Sequence, residues 1–403
     1  MADLPAVLEG LLLTATVALA VPVGVLVAQI VVASLGRRDR APAPCPAEPR
    51  SSVGVLVPAH DEASGIAATL AALGAQLRSG DRLLVVADNC SDDTAALARG
   101  VGAEVTERRD PDRRGKGYAL DWGVRHFESA PPAVVVVVDA DCIVAPGAID
   151  LVAQRSLATG RPVQALYLMR APAGASLKSR IAEFAWVVKN EVRPLGSHRL
   201  GLPCQLAGSG MAFPWPVIRQ AALASSHIVE DLQLGLELAI AGTPPLHCRE
   251  ALVTSDFPVA SAGLASQRLR WEQGHLGVIA RMGPRLLLRG LRTGRLELVA
   301  MALDLSVPPI AALIAALLAL VVVSTAWALA GGPSAPMWWT VAELLFLGMA
   351  LLAAWSRFGR HIVTFSELAS APGYVAAKLP MYARMAWRRQ TEWVRTRRDD
   401  GGP

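Results

Sequence analysis

Two long stretches of this chain carry no charged residue at all, Leu11 to Gly36 and Leu305 to Ala330. Each exceeds the roughly 20 apolar residues that a helix needs to cross the hydrocarbon of a bilayer. A third stretch, Met337 to Trp355, has one carboxylate, Glu343, near its start. It follows the short turn Gly331 to Pro336, so the last two stretches are expected to form a membrane hairpin. Composition agrees, with 53% hydrophobic and 18% charged residues against about 25% charged in ordinary globular domains. The alternative for the first stretch is a cleaved secretory signal, which begins basic. Here Asp3 and Glu9 precede the apolar core without any Lys or Arg.

Arginines set the expected orientation. Arg37, Arg38 and Arg40 follow the first span, Arg281, Arg285, Arg289, Arg292 and Arg295 precede the second, and Arg357 and Arg360 follow the third. The turn between the last two spans has no basic residue, so the positive-inside rule places the long middle segment in the cytoplasm. The net charge of +5 is concentrated beside apolar segments. Membrane lipids are therefore the expected partner of the basic residues, and nucleic acid is not. Apart from Glu343 the spans lack the ionisable groups at depth that mark transport pathways. Five cysteines, Cys45, Cys90, Cys142, Cys204 and Cys248, show neither a disulfide framework nor zinc-site spacing and read as reduced thiols.

Between the spans, residues 37–52 form a basic tether with Pro42, Pro44, Pro46 and Pro49, and a soluble domain is expected over 53–275. Val53 to Val57, Leu83 to Val86 and Val134 to Val138 are short, continuously apolar runs, as parallel strands buried on both faces require. Helical stretches at Ala63 to Gln76, Asp93 to Arg99 and Tyr118 to Phe127 alternate with them, giving an α/β, Rossmann-like pattern. Ligands in such sheets bind at the carboxyl ends of the strands. Those ends carry Pro58-Ala59-His60-Asp61-Glu62, Asp88-Asn89 followed by Asp92-Asp93, and Asp139-Ala140-Asp141. Asp92 and Asp93 also fit a helix cap.

The paired carboxylates Asp139 and Asp141 suit a divalent ion, Mg2+ or Mn2+, which would offset the charge of a leaving diphosphate. Arg113 to Gly117 is a basic, glycine-flanked loop whose Lys116 reads as a phosphate ligand or as an ordinary surface turn. Glu230 and Asp231 stand at a helix start, as caps or as a general base taking the proton of an attacking hydroxyl. Gln267, Arg270 and Trp271 offer donors and a flat apolar face for a sugar, or alternatively an interfacial anchor.

Together these motifs resemble the membrane-bound family-two glycosyltransferases, which include cellulose, chitin and hyaluronan synthases and bacterial exopolysaccharide transferases. The resemblance covers about residues 53–275 and rests on five elements in the family's order: Pro58 to Glu62, Asp88, Asp139-Ala140-Asp141, Glu230-Asp231, and Gln267 to Trp271. It implies a GT-A catalytic domain, a UDP-sugar donor, a metal and an inverting displacement. By it, Pro58, His60, Glu62, Asp88, Asn89, Lys116 and Asp139 would line the donor site. Asp141 would hold the metal with Asp139, and Asp231, or else Glu230, would be the base. Gln267, Arg270 and Trp271 would close over the substrates, and Gly208, Ser209, Gly210 and Met211 would build the acceptor site. Val229 replaces the threonine that relatives often have before Glu-Asp.

The expected whole is a multi-pass protein of a bacterial-type inner membrane with its catalytic domain in the cytoplasm. One N-terminal span (1–36), an interfacial segment (276–299), a transmembrane hairpin (300–356) and a basic tail (357–403) would frame that domain. It would transfer a sugar to a lipid-linked or membrane-associated acceptor in glycan or glycolipid synthesis. A polymerising synthase that forms its channel by oligomerisation, or a non-catalytic nucleotide-sugar binder serving another synthase, are the alternatives. Leu177, Ile181, Phe184, Val188 and Val192 recur at helical spacing, which fits either an interfacial helix or core packing.

Overall fold

The computed structural model describes residues 4–35, 50–227, 229–257, 261–370 and 373, with the side chains of residues 4 and 261–271 outside that description. The chain divides into two compact units. Among the described residues, one contains 50–175 and Gly201–Gly274, and the other contains the N-terminal helix, Ser176–Leu200 and 275–370.

The first unit is built on one sheet of eight strands: β1 (Val53–Ala59), β2 (Arg82–Asp88), β3 (Glu104–Arg108), β4 (Val134–Val137), β5 (Ile143–Val144), β6 (Val163–Arg170), β7 (Met211–Pro214) and β8 (Leu246–Asp256). Their spatial order is β3-β2-β1-β4-β7-β6-β8-β5. Strands β1 to β4 run parallel, and the three expected from the apolar runs lie together at β2-β1-β4. Strand β7 is antiparallel to both β4 and β6, and β5 is antiparallel to β8. An apolar run reads the same in either direction, so pattern alone locates such strands without orienting them. The helices Ile66–Gly74 and Lys116–Phe127 are close to the expected ones. The second of these packs Ala119, Leu120, Val124 and Phe127 with Leu56, Val86, Val135 and Phe213 in a continuous core. That core holds the carboxyl ends of β1, β2 and β4 at one edge of the sheet.

The second unit is helical. Among the described residues, three of its helices are long and apolar enough to cross a membrane: Pro5–Leu35, Ile310–Leu329 and Ala335–Gly359, with mean hydropathies of 2.4, 2.5 and 1.7. The second begins later than its charge-free run, because Pro308 and Pro309 cannot continue the helix Leu296–Ser306. Since the third begins at Ala335, Glu343 stands more than two turns inside it and is only 9% exposed. One turn earlier, Thr340 Oγ1 lies 3.3 Å from Thr16 Oγ1 of the first helix, a polar link between two apolar helices.

The stripe within Ser176–Leu200 packs as core, with Ile181, Phe184, Val188 and Val192 buried. A π-helical turn at Val188–Val192 shifts the stripe, so that Asn190 and then Arg193 also face inward. The helix Arg193–Arg199 crosses the N-terminal helix at Gly196, where a Cβ would come within 2.2 Å of the Gln29 carbonyl oxygen. Around that crossing, Arg193 Nη2 donates to Asp304 Oδ1 at 2.8 Å and to its carbonyl at 2.7 Å. Gln29 accepts from Arg193 Nε and donates to Asp304 Oδ1 at 2.7 Å and to Ser197 Oγ at 3.1 Å. His275 is 6% exposed, and burial, followed by the charges of Lys189 and Arg193, lowers its pKa to about 3.

Candidate active site

At the carboxyl edge of β1, β2 and β4 the sheet opens into a cavity of about 300 Å³. Pro58, His60, Glu62, Asp88, Asn89, Lys116, Asp139 and Asp141 all line it, together with Arg114, Tyr167 and Met169. Parallel strands explain the convergence, because their carboxyl ends all face one way. Asp61 and Asn89, which directly follow β1 and β2 or stand two residues beyond, both have φ of 53°. Asp and Asn tolerate this left-handed conformation better than other side chains, and here it turns the chain sharply at the strand ends.

Asp88 ends β2 and is 6% exposed. Its Oδ1 accepts from Arg108 Nη1 at 2.7 Å and from Asn89 Nδ2 at 3.0 Å. Arg108 is 7% exposed and also lies over the Tyr118 ring, 5.3 Å from its centroid. Sequence reasoning missed Arg108. Its signal was a charged residue closing an edge strand beside Asp88, with which it pairs in register. His60 Nδ1 lies 2.7 Å from the carbonyl of Asp88 and so ties the first strand end to the second.

Asp139 and Asp141 follow β4, and their carboxylates come within 4.8 Å of each other and of the Cys142 sulfur. Two carboxylates suit a hard divalent cation. The Cys142 thiol is buried, and burial raises its pKa well above the usual value, so it stays protonated and a poor partner for such an ion. The Asp139 carboxyl pKa is raised by burial and by Asp141, although the Lys116 ammonium beside it acts in the opposite sense.

Lys116 opens the helix Lys116–Phe127, and its ammonium pairs with Asp139 Oδ1 and donates to the Gly208 carbonyl at 2.7 Å. The phosphate ligand expected from sequence is thus engaged with protein groups. Burial pulls its pKa down, but Asp139, Glu230 and Asp231 outweigh that and raise it. Gly208 has φ of 93°, and a Cβ there would stand 3.3 Å from Asp231 Oδ2, 3.6 Å from Lys116 Nζ and 3.9 Å from Asp139 Oδ2. The small residue therefore leaves room where three charged side chains meet.

Glu230 and Asp231 begin the helix Glu230–Ala241, for which Val229 supplies no side-chain cap. They line a second, narrower cavity with Gly117, Met211 and Gln233. Burial, then the charge of Asp231, pushes the Glu230 carboxyl to about 8. Ser209 and Gly210, in the turn expected to build the acceptor site, link it to the sheet: Ser209 Oγ accepts from Asp139 N at 3.1 Å, and Gly210 N donates to the Val137 carbonyl at 2.9 Å. Gln267, Arg270 and Trp271 fall in the helix Ser261–Thr293, and their side chains lie outside the described residues. Asp61, Cys90 and Asp92 form another acidic group. There Asp61 Oδ1 accepts from Ser91 N and Asp92 Oδ1 from Thr94 N, as turn-forming carboxylates do.

Residues 49–274 match the family described as glycosyltransferase like family 2. No curated protein matches the chain. Among solved structures it is similar to a mannosyltransferase from Pyrobaculum calidifontis in complex with GDP-Man and Mn2+. The identity is 19%, over 85% of this chain and 99% of that one, with a TM-score of 0.53. It is also similar to glucosyl-3-phosphoglycerate synthase from Mycobacterium tuberculosis in complex with Mn2+, UDP-glucose and phosphoglyceric acid. That identity is 21%, over 55% of this chain and 78% of that one, with a TM-score of 0.39. The first likeness is one of fold, a GT-A domain.

Proposed function

The chain belongs to the glycosyltransferase like family 2, and we propose that it transfers a sugar from a UDP-sugar to a membrane-associated acceptor, with inversion at the anomeric carbon. The observation that carries this reading is the meeting of Asp231, Lys116 and Asp139 around Gly208, next to a cavity lined by Asp88 and Asp141.

Asp88 favours uracil over guanine. Guanine presents two adjacent donors and needs both oxygens of a carboxylate, whereas uracil presents one donor flanked by carbonyls. Asp88 Oδ1 already takes Arg108 and Asn89. One oxygen is left for a single donor, with the Asn89 amide beside it in the cavity lining for a flanking carbonyl. Asp139 and Asp141 would hold Mg2+ or Mn2+, which when bound offsets the charge of the departing diphosphate. Asp231 accepts the proton of the acceptor hydroxyl as that oxygen attacks, and the turn Gly208 to Met211 seats the acceptor. Glu230, pushed to about 8, is largely protonated at neutral pH, which makes it the poorer base. Gln267, Arg270 and Trp271 close over donor and acceptor. A lipid-linked acceptor fits a chain with three helices able to cross a membrane, and the arginine asymmetry puts the catalytic domain in the cytoplasm.

The test is incubation of the full-length protein in detergent with a panel of UDP-sugars and GDP-mannose, with Mn2+, Mg2+ or chelator, and with or without membrane lipid extract. Release of UDP that needs metal and rises with lipid extract is expected. Preference for GDP-mannose would overturn the uracil assignment. Orientation is tested by a cysteine placed at Ser334, which should react with an impermeant thiol reagent in intact cells.

A further inference from the structure

Gln164 stands in β6 between buried Val163 and Ala165 and is itself only 3% exposed. A primary amide buried this deeply is costly unless its polar atoms are matched. Its Oε1 accepts from Ala207 N at 2.8 Å, and its Nε2 donates to the Ser209 carbonyl at 2.8 Å and to the Ala165 carbonyl at 2.9 Å. The side chain thus offers an acceptor and a donor side by side, as the edge of a peptide does, to an N–H and a C=O two residues apart. It acts as an added strand partner for Ala207 to Ser209, which precede β7. The fully buried Ser209 then accepts from the Asp139 backbone N–H at 3.1 Å. From the other side, Lys116 holds the Gly208 carbonyl.

We infer that Gln164 is a positioning residue for sugar transfer. It fixes the turn through Gly208 and Ser209, and through Ser209 it fixes the backbone of Asp139, so that the acceptor seat, the carboxylate and Asp231 keep one spacing. The inference rests on the transferase reading and adds a residue that touches neither donor nor acceptor. The geometry is demanding. Glutamate keeps the acceptor for Ala207 N but sets a carboxylate against the Ser209 carbonyl, and methionine removes all three bonds at similar volume.

The test uses the full-length protein in detergent and the variants Gln164→Met, Gln164→Glu and Ser209→Ala. Three quantities are measured: hydrogen exchange in the peptide spanning 205–213, affinity for UDP with Mn2+, and transfer from the UDP-sugar that the wild type uses best to membrane lipid extract. Gln164→Met should exchange about tenfold faster in that peptide, since the Ala207 amide loses its acceptor, and Gln164→Glu, which keeps that acceptor but not the bond to the Ser209 carbonyl, should exchange faster by a smaller factor. Their transfer should fall about 10- to 100-fold, the scale of misplaced reacting groups, and Mn2+-dependent UDP affinity, which reads only the Asp139 side of the turn, should fall less than transfer does, with the thermal midpoint little changed. Ser209→Ala should show the same loss of transfer with the exchange of Ala207 unchanged. Wild-type transfer in Gln164→Met despite faster exchange would overturn the inference. So would a parallel fall of UDP affinity and thermal midpoint, which marks an ordinary core residue. A wild type that binds no UDP with Mn2+ would sink the transferase reading itself.

Discussion

The polar cluster at the strand ends and the polar knot in the helical unit draw on the same side-chain types, yet they differ in charge balance. In the knot, Arg193 and Asp304 match one to one, and the Gln29 amide and Ser197 hydroxyl fill the remaining hydrogen-bonding positions. At the strand ends, the Lys116 ammonium faces Asp139, Glu230 and Asp231, with Asp141 beside Asp139. Carboxyls exceed cations there, and the excess adjoins a cavity of about 300 Å³. A balanced and closed cluster ties helices together, whereas an anionic and open one is arranged for another cation to join it.

The largest effect should come from the open cluster. Asp231→Asn keeps size and hydrogen-bonding capacity but loses basicity, so transfer should fall about 100- to 10,000-fold while UDP binding persists. Near-normal turnover with normal UDP affinity would remove Asp231 as the base and point to Glu230.

In the closed cluster the effect should be on stability. Arg193→Met leaves the part-buried Asp304 without its cation, and breaking such a pair costs at most about 3–5 kcal/mol, the figure for a fully buried one. Pairing it with Asp304→Leu should restore most of that in a thermal or denaturant scan. A single variant as stable as the wild type would show that the pair does not hold these helices.

Asp141→Asn should raise the Mn2+ concentration needed for half-maximal turnover about 10- to 100-fold, and should weaken Mn2+-dependent UDP binding alike. An unchanged metal requirement would break the contrast, because the strand-end cluster would then need no added cation.

The smallest effect concerns His275, next to the knot. Its folded pKa, about 3, lies below the unfolded value near 6.5. The stability linked to neutral His275 is therefore complete above pH 6.5 and is lost as pH falls toward 3, because only the unfolded chain takes up the proton. Thermal midpoints should decline from pH 6.5 to 5, and His275→Gln should flatten that slope. An equal slope in both proteins would assign the decline to other groups.

Much of this was legible in the chain. The charge-free runs announced the long apolar helices, since no other use of such runs satisfies their backbone outside water. The valine-rich strands and the acidic residues that follow them announced the sheet and its working edge. Gln164 was not legible, because a lone glutamine in an apolar strand looks like an interruption until Ala207 and Ser209 are brought against it. Nor was Lys116 as a partner of the Gly208 carbonyl, 92 residues away.

By itself, then, the sequence determined the three central strands and the helices between them, which segments are apolar enough for a membrane, and where the carboxylates gather. These follow from periodicity, run length and strand ends, all local along the chain. Only the tertiary structure decided the direction of β7, the burial of the stripe in Ser176–Leu200, the pairing of Arg193 with Asp304, and the meeting of Lys116 with three carboxyls. Those depend on groups far apart in sequence, whose distances are set by packing and on which pairing, burial and charge balance all depend.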